Sequence, residues 1–325
     1  MMKDREVLFA KSFARELTAA IAFVAFALLL AGYVPYSFAQ QQGQRTFHSP
    51  EEAGSALFAA AQNENEKALI DILGPAGKEI ISSGDPAEDM NDRVGFVVKY
   101  QEMHRYVNEA DGTTILYLGA ENWPLPIPLL NKNGSWYFDT DAAKEEILMR
   151  RIGRNELAAI DACDQLVGAE KQYHTNAPLQ KYAGQYAENF ISDKGRHNGL
   201  YWSEAGNEVD SLLDPLIASA GQENAKSAND TYASDPIPFN GYYFRILTGQ
   251  GPNASGGAKS YIVNGNMVGG FAFVAYPAEY RSSGVMTFIV NETGVVYEKD
   301  LGPNTTTVAT NMTAYNPDST WHQVD

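Results

Sequence analysis

Between Gly241 and Gly302 the apolar positions fall in short runs rich in Val, Ile, Tyr and Phe, each closed by turn residues, a pattern that predicts an antiparallel sheet. Asn264-Gly265 separates Tyr261-Ile262-Val263 from Met267-Val268 and suits a two-residue turn with positive φ at both central positions, so a hairpin is expected there. Asn291 to Gly294 divides Met286–Val290 from Val295–Tyr297 in the same way, with Gly294 free to adopt the left-handed conformation of a longer hairpin loop.

Upstream the apolar period lengthens. Ser49, Pro50 and Glu52 form a cap, a first helical residue and the far side of a capping box. The apolar positions from Ala56 to Ala60 and from Leu69 to Leu73, parted by Asn63-Glu64-Asn65, predict two short helices ending at Gly74-Pro75. Ser82 to Pro86 reads as a turn cluster, and a helix is expected over 92–102 with Val94, Val97, Val98 and Gln101 on one side. Strands are expected over 113–119 and 134–139, joined through Trp123–Pro128, whose alternating prolines forbid a central strand and favour an extended edge. From Asp141 a helical stripe runs through Leu157, Ile160 and Val167, with Gly153 as an expected break. Further helices are expected over 182–190 and 305–313, and a polar loop over 222–234. The expected fold class is therefore α+β. Residues 45–150 would form N-terminal helices with a small sheet, and residues 151–325 a long helix packed on a four-stranded antiparallel sheet.

Composition changes this picture mainly at the N-terminus. Lys3, Arg5, Lys11 and Arg15 precede an uncharged stretch from Leu17 to Ala39, and Ser37-Phe38-Ala39 places small residues where a signal peptidase reads them. A signal peptide over residues 1–39, cleaved after Ala39, is expected, which sets the protein in the periplasm or outside the cell. Retention as an anchor is the competing reading, and only then would a membrane be a partner. The formal charge of −16 argues against nucleic acid or an anionic membrane surface as a partner. Cys163 is the single cysteine, so no intrachain disulfide exists, and its spacing with Ile160 and Val167 puts it on an apolar helix face.

Catalytic motifs are scarce. The five histidines lack the paired spacing of a zinc helix, there is no GxSxG elbow, and the glycines at 249, 251, 256 and 257 do not lead a strand into a helix with a lysine. Asp139-Thr140-Asp141 starts like a calcium loop but lacks the further ligand and glycine. No metal and no cofactor are expected. Arg150, Arg151 and Arg154 form the one dense basic cluster after the leader; they could hold a carboxylate or phosphate, or pair with Glu145, Glu146 and Glu156. Trp123, Tyr242, Tyr243, Tyr261, Tyr276 and Tyr280 exceed what one small sheet face buries, which makes them candidates for a recognition surface, with core packing the alternative.

Three resemblances follow. The order of helices and then strands ending in Trp136-Tyr137-Phe138 resembles the nuclear transport factor 2-like cone over about residues 49–147. Some members of that family are enzymes with an Asp and a His in the pocket, which would make Asp85 or Asp139 with His104 the catalytic candidates. The C-terminal half, with its long helix, GYYF, FAFVAYP and the hairpin from Phe288 to Val295, resembles the soluble part of type IV pilins and pseudopilins; the apolar segment that such proteins use to polymerise lies here over a hundred residues upstream. From about Arg45 to Asp325 the chain resembles the bacterial family called domain of unknown function 2950, through ISSGDP at 81–86, NWPLPIPL at 122–129, IGRNELAAI at 152–160 and YYFRILTGQGP at 242–252. That resemblance implies an exported protein of Gram-negative bacteria and carries no functional residues. The expected function is a non-catalytic envelope binding or scaffold module for a partner protein or a small ligand. The competing expectation is a periplasmic acid–base enzyme, which requires a cavity holding His104 beside a carboxylate.

Overall fold

Ser49 accepts the Glu52 amide at 3.2 Å and opens α1 (Pro50–Gln62), while the Glu52 carboxylate reaches back to the His48 amide at 2.8 Å. The computed structural model describes residues 41–175, 183–193, 196–202, 211–222 and 236–324; the expected leader and nearly all of the loop expected over 222–234 lie outside them. Asn65 caps α2 (Glu66–Leu73), which ends at Gly74 with φ 80°, and a short α3 (Gly77–Ile81) follows. The next helix, α4 (Pro86–Glu102), starts earlier than expected because Asp85, taken for part of a turn, is its cap: the carboxylate accepts the amides of Ala87 and Glu88. Its buried face differs in part from the expected one. Val97 packs against the core as expected, but Val94 and Val98 are 56% exposed, whereas Tyr100 is buried, with Phe96 packed against the same cluster; the rings remove more area from water than the valines could.

Five strands follow: β1 (His104–Asn108), β2 (Thr114–Leu118), β3 (Trp123–Pro124), β4 (Leu129–Lys132) and β5 (Ser135–Phe138). They form an antiparallel sheet ordered β1-β2-β4-β5, with β3 paired on β2. Phe47, Leu57, Leu69, Leu116, Leu129 and Phe138 centre a hydrophobic core between this sheet and the helices.

The helix α5 (Thr140–Thr175) runs unbroken through Gly153 for 36 residues, so the expected interruption is absent. A glycine in a helix interior costs about 1 kcal/mol, and the packing of Ala159 with the hydrogen bonds made by buried Arg151 and Asn155 on either side offsets that. Ala143 of α5 belongs to the first core, and Ala159, Cys163, Leu166 and Tyr173 to a second. Burial pushes the Cys163 thiol far up, as befits a packing residue.

The described part of the helix expected over 182–190 is instead a turn leading into β6 (Asn189–Ile191), parallel to β7 (Gly199–Tyr201). Tertiary partners take its polar groups: the Tyr186 amide bonds Met267, the Ala187 amide bonds Glu170, and Glu188 accepts from Met267.

Asp214 caps α6 (Pro215–Ser219), which leads into β8 (Gly221–Gln222) and β9 (Tyr242–Leu247). Next come β10 (Gly249–Gln250), β11 (Lys259–Ser260), β12 (Ile262–Val263), β13 (Asn266–Met267), β14 (Ala272–Pro277), β15 (Met286–Asn291) and β16 (Val296–Asp300). The chain closes with α7 (Thr305–Thr310), β17 (Ala314–Tyr315) and β18 (His322–Gln323). Four strands, β9, β14, β15 and β16, make the antiparallel body of a six-stranded sheet, with β18 and the parallel β8 at its edges. Both expected hairpins are present: Asn264 and Gly265 have φ of 52° and 82°, and Gly294 has φ 79°. All six residues of β14 are buried, so both faces of this strand are covered, and both α5 and α7 pack against it.

Candidate ligand-binding cavity

A cavity of about 390 Å³ opens in the N-terminal core, within the range of small-ligand pockets. Its apolar wall comes from Leu57 and Ala61 of α1, Leu69 and Leu73 of α2, Ile80 and Ile81 of α3, Phe96 of α4, Leu125 and Ile127 after β3, and Ile147 of α5. These elements converge because each turns its apolar stripe to the same core; the prolines at 124, 126 and 128 keep the segment after β3 extended, so Trp123, Leu125 and Ile127 reach the site from one edge.

Two helices, α4 and α5, also bring charge to the lining. Arg93, Lys99, Arg150, Arg151 and Arg154 line the cavity against only Asp89 and Asp92, in a chain that is acidic overall. Three of these cations are engaged. Arg151 is 5% exposed and donates to the carbonyls of Glu79 and Ile80, the last turn of α3. Arg154 pairs with Glu88 and, at 3.7 Å, with Asp92; burial works against its charge, but these two carboxylates outweigh it and hold its pKa above the usual value. Arg150 makes an exposed pair with Glu146. Asp89 accepts the Ser83 amide at 2.9 Å, and burial raises its pKa against the opposing influence of that bond, Arg151 and Arg93. Arg93 has a buried Nε without a hydrogen-bond partner, and neither Arg93 nor Lys99 forms a salt bridge among the described residues.

The sequence-predicted residues divide sharply. Trp123, Arg150, Arg151 and Arg154 come together on this cavity, Trp123 at 38% exposure. The expected pairing of the arginines is corrected in part: Glu146 does pair with Arg150, but Arg154 takes Glu88 and Asp92, and Glu156 accepts the amides of Val285 and Met286 instead. Tyr242, Tyr261 and Tyr276 are fully buried in the second core and Tyr243 packs against it, because a sheet covered on both faces absorbs more rings than one with a solvated face. The three buried rings are out of a partner's reach, whereas Tyr243 and Tyr280 are half-buried.

The catalytic candidates are not assembled. His104 is exposed, stacks on Tyr100 with ring centroids 4.0 Å apart, and bonds the Tyr100 carbonyl through Nδ1 at 3.0 Å. Asp85 is committed to capping α4 and to the Gly241 amide at 2.9 Å. Asp139 sits at the start of α5, where burial raises its pKa against the Ala142 amide. None of the three lines the cavity. Among the described residues no cluster of His, Cys, Asp or Glu is placed to hold a metal ion, and no helix is long and apolar enough to cross a membrane.

Arg93 and Lys99 were invisible while the helix was taken to begin at 92 with its valines inward. Their spacing with Phe96, three residues either way, places all three on one face once the burial of Tyr100 fixes the phase. Residues 44–324 match a family described as protein of unknown function (DUF2950). No curated protein and no solved structure matches the chain.

Proposed function

The chain belongs to the DUF2950 family, and we propose that it is a non-catalytic binding module of the bacterial envelope which holds a small ligand in the N-terminal cavity. One observation carries this reading: a largely apolar pocket of about 390 Å³ whose charged lining is mostly cationic, lined by none of the acid–base candidates. On this reading residues 45–150 are the ligand-holding half, completed by Arg151 and Arg154, and residues 151–325 are a packed support. The cone-like reading of the first half is supported by helices on a small sheet around a cavity, and the pilin-like reading of the second by a long helix on an antiparallel body. Export belongs to the same proposal and rests on the basic start, apolar run and Ser37-Phe38-Ala39 of the leader. Amino-terminal sequencing of the protein from a periplasmic fraction should begin at Gln40; a first residue within 1–39 refutes the cleavage.

Gly95 supplies the binding test. It lines the cavity, has helical backbone, and a Cβ there meets nothing within 4 Å, so a side chain can be started at Gly95 without a backbone clash and Gly95→Phe should obstruct the pocket. A neutral apolar dye such as Nile red should bind the parent saturably at one site and bind Gly95→Phe at least roughly tenfold more weakly, with a melting temperature no lower than the parent's. Equal binding by both proteins sinks the cavity reading.

A further inference from the structure

We infer that the ligand is an amphipathic anion, a single alkyl chain ending in a carboxylate, with its head group between Arg93 and Lys99 and its tail against Leu57, Leu69 and Ile127. This rests on the cavity being the binding site and names the chemistry the cavity selects.

Two features carry it. The first is that one pocket carries two kinds of surface: Leu57, Ala61, Leu69, Leu73 and Ile127, each 5% exposed or less, come from α1, α2 and the segment after β3, whereas all the cations come from α4 and α5. A ligand that matches both must have an apolar body and one charged end. The second is which cations remain available. Arg151 and Arg154 are held by α3 carbonyls and by Glu88, so their guanidinium groups are fixed in the wall and the charge of Arg154 is already met by a carboxylate. Arg93 keeps a buried Nε–H with no acceptor, which costs free energy that an incoming anion would recover. Lys99 lies six residues along the same helix, nearly two turns, so both cations flank Phe96 on the cavity side.

The two acids in the lining do not cancel this. Asp92 is paired with Arg154, and Asp89 is turned to the Ser83 amide with burial disfavouring its charged form. A carboxylate suits a guanidinium edge, which offers paired N–H donors, better than a neutral hydroxyl does. The volume, near the small end of ligand pockets, suits one chain and not the paired chains of a phospholipid. Trp123, from β3, adds a partly exposed apolar ring to the lining.

The test compares decanoate with decanol, which share a tail and differ at the head, by isothermal titration calorimetry on the protein freed of co-purifying lipid. Decanoate should bind roughly tenfold or more tightly than decanol. Arg93→Gln and Lys99→Gln should each weaken decanoate about fivefold or more while leaving decanol unchanged, the decanol titration also proving that each variant is folded. Acetate and inorganic phosphate, heads without tails, should neither bind measurably nor displace decanoate. Equal affinity for decanol and decanoate, or loss of both ligands on charge removal, overturns the anion assignment and leaves the cavity reading intact. Displacement by acetate or phosphate overturns the role of the tail. Failure of both decanoate and decanol to bind overturns this inference, and the Nile red titration then decides whether the cavity reading falls with it.

Discussion

Glu170 is fully buried on α5, with one carboxyl oxygen accepting the Ala187 amide and the other without a partner. Burial pushes its pKa from 4.5 up to about 8, with the Ala187 bond opposing. The folded protein therefore keeps this proton where the unfolded chain has lost it. The stabilising contribution is complete below the unfolded value of 4.5, falls as pH rises from there, and is lost once pH passes about 8. Glu170→Gln should remove that slope, so its melting temperature should gain on the parent's between about pH 5 and pH 8.5, by an equivalent on the order of a few kcal/mol. Parallel curves for the two proteins would show that the carboxyl is already ionised in the fold. Nothing in the sequence marks Glu170, whose neighbours Lys171 and Gln172 read as a solvated helix end; only the packing of residues 186–187 against α5 makes it special. By contrast Trp123 and the three arginines were legible as residue types, because aromatic and guanidinium groups are conspicuous in an acidic chain. Their partners were not, since Arg154 finds Glu88 from another helix 66 residues away.

Elements fixed by local chemistry were legible in advance. Asn264-Gly265 makes its turn wherever it occurs, and Ser49-Pro50 opens a helix without tertiary help. Elements defined by what they pack against were not: β1 is polar and partly exposed, and exists because Leu116 and Leu118 of its partner strand anchor the sheet. The phase of α4 belongs to the same class. Gly95 within it has open space around a would-be Cβ, so Gly95→Ala should stabilise the protein by about 0.5–1 kcal/mol in denaturant unfolding, and any loss of stability would place a neighbour at that position. Asp85→Ala removes a helix cap and leaves the buried Gly241 amide unpaired, at an expected cost of about 1–3 kcal/mol; a cost near zero would mean that water replaces both bonds.

At the scale of the whole molecule, two hydrophobic clusters share one helix of 36 residues, about 54 Å long. Asp85, Glu88, Arg154, Asn155 and Ser283 knit the junction: Asn155 donates to both Glu88 and the Ser283 carbonyl, each at 3.1 Å. The clusters should therefore unfold together. Trp136 reports on the first and Trp202 on the second, so single-tryptophan variants should give the same denaturant midpoint, and separated midpoints would make the junction a weak hinge. A sequence reading that stops α5 at Gly153 cannot anticipate this, because the penalty of one glycine is visible in the chain while the burial that outweighs it is spread over two distant cores.

Because Arg151 donates to the closing carbonyls of α3 from across the boundary expected between residues 150 and 151, severing the chain between Arg150 and Arg151 should leave two insoluble fragments. A circular permutant opened at the exposed Asn133-Gly134 bend, where no helix is cut, should instead be recovered from the soluble fraction.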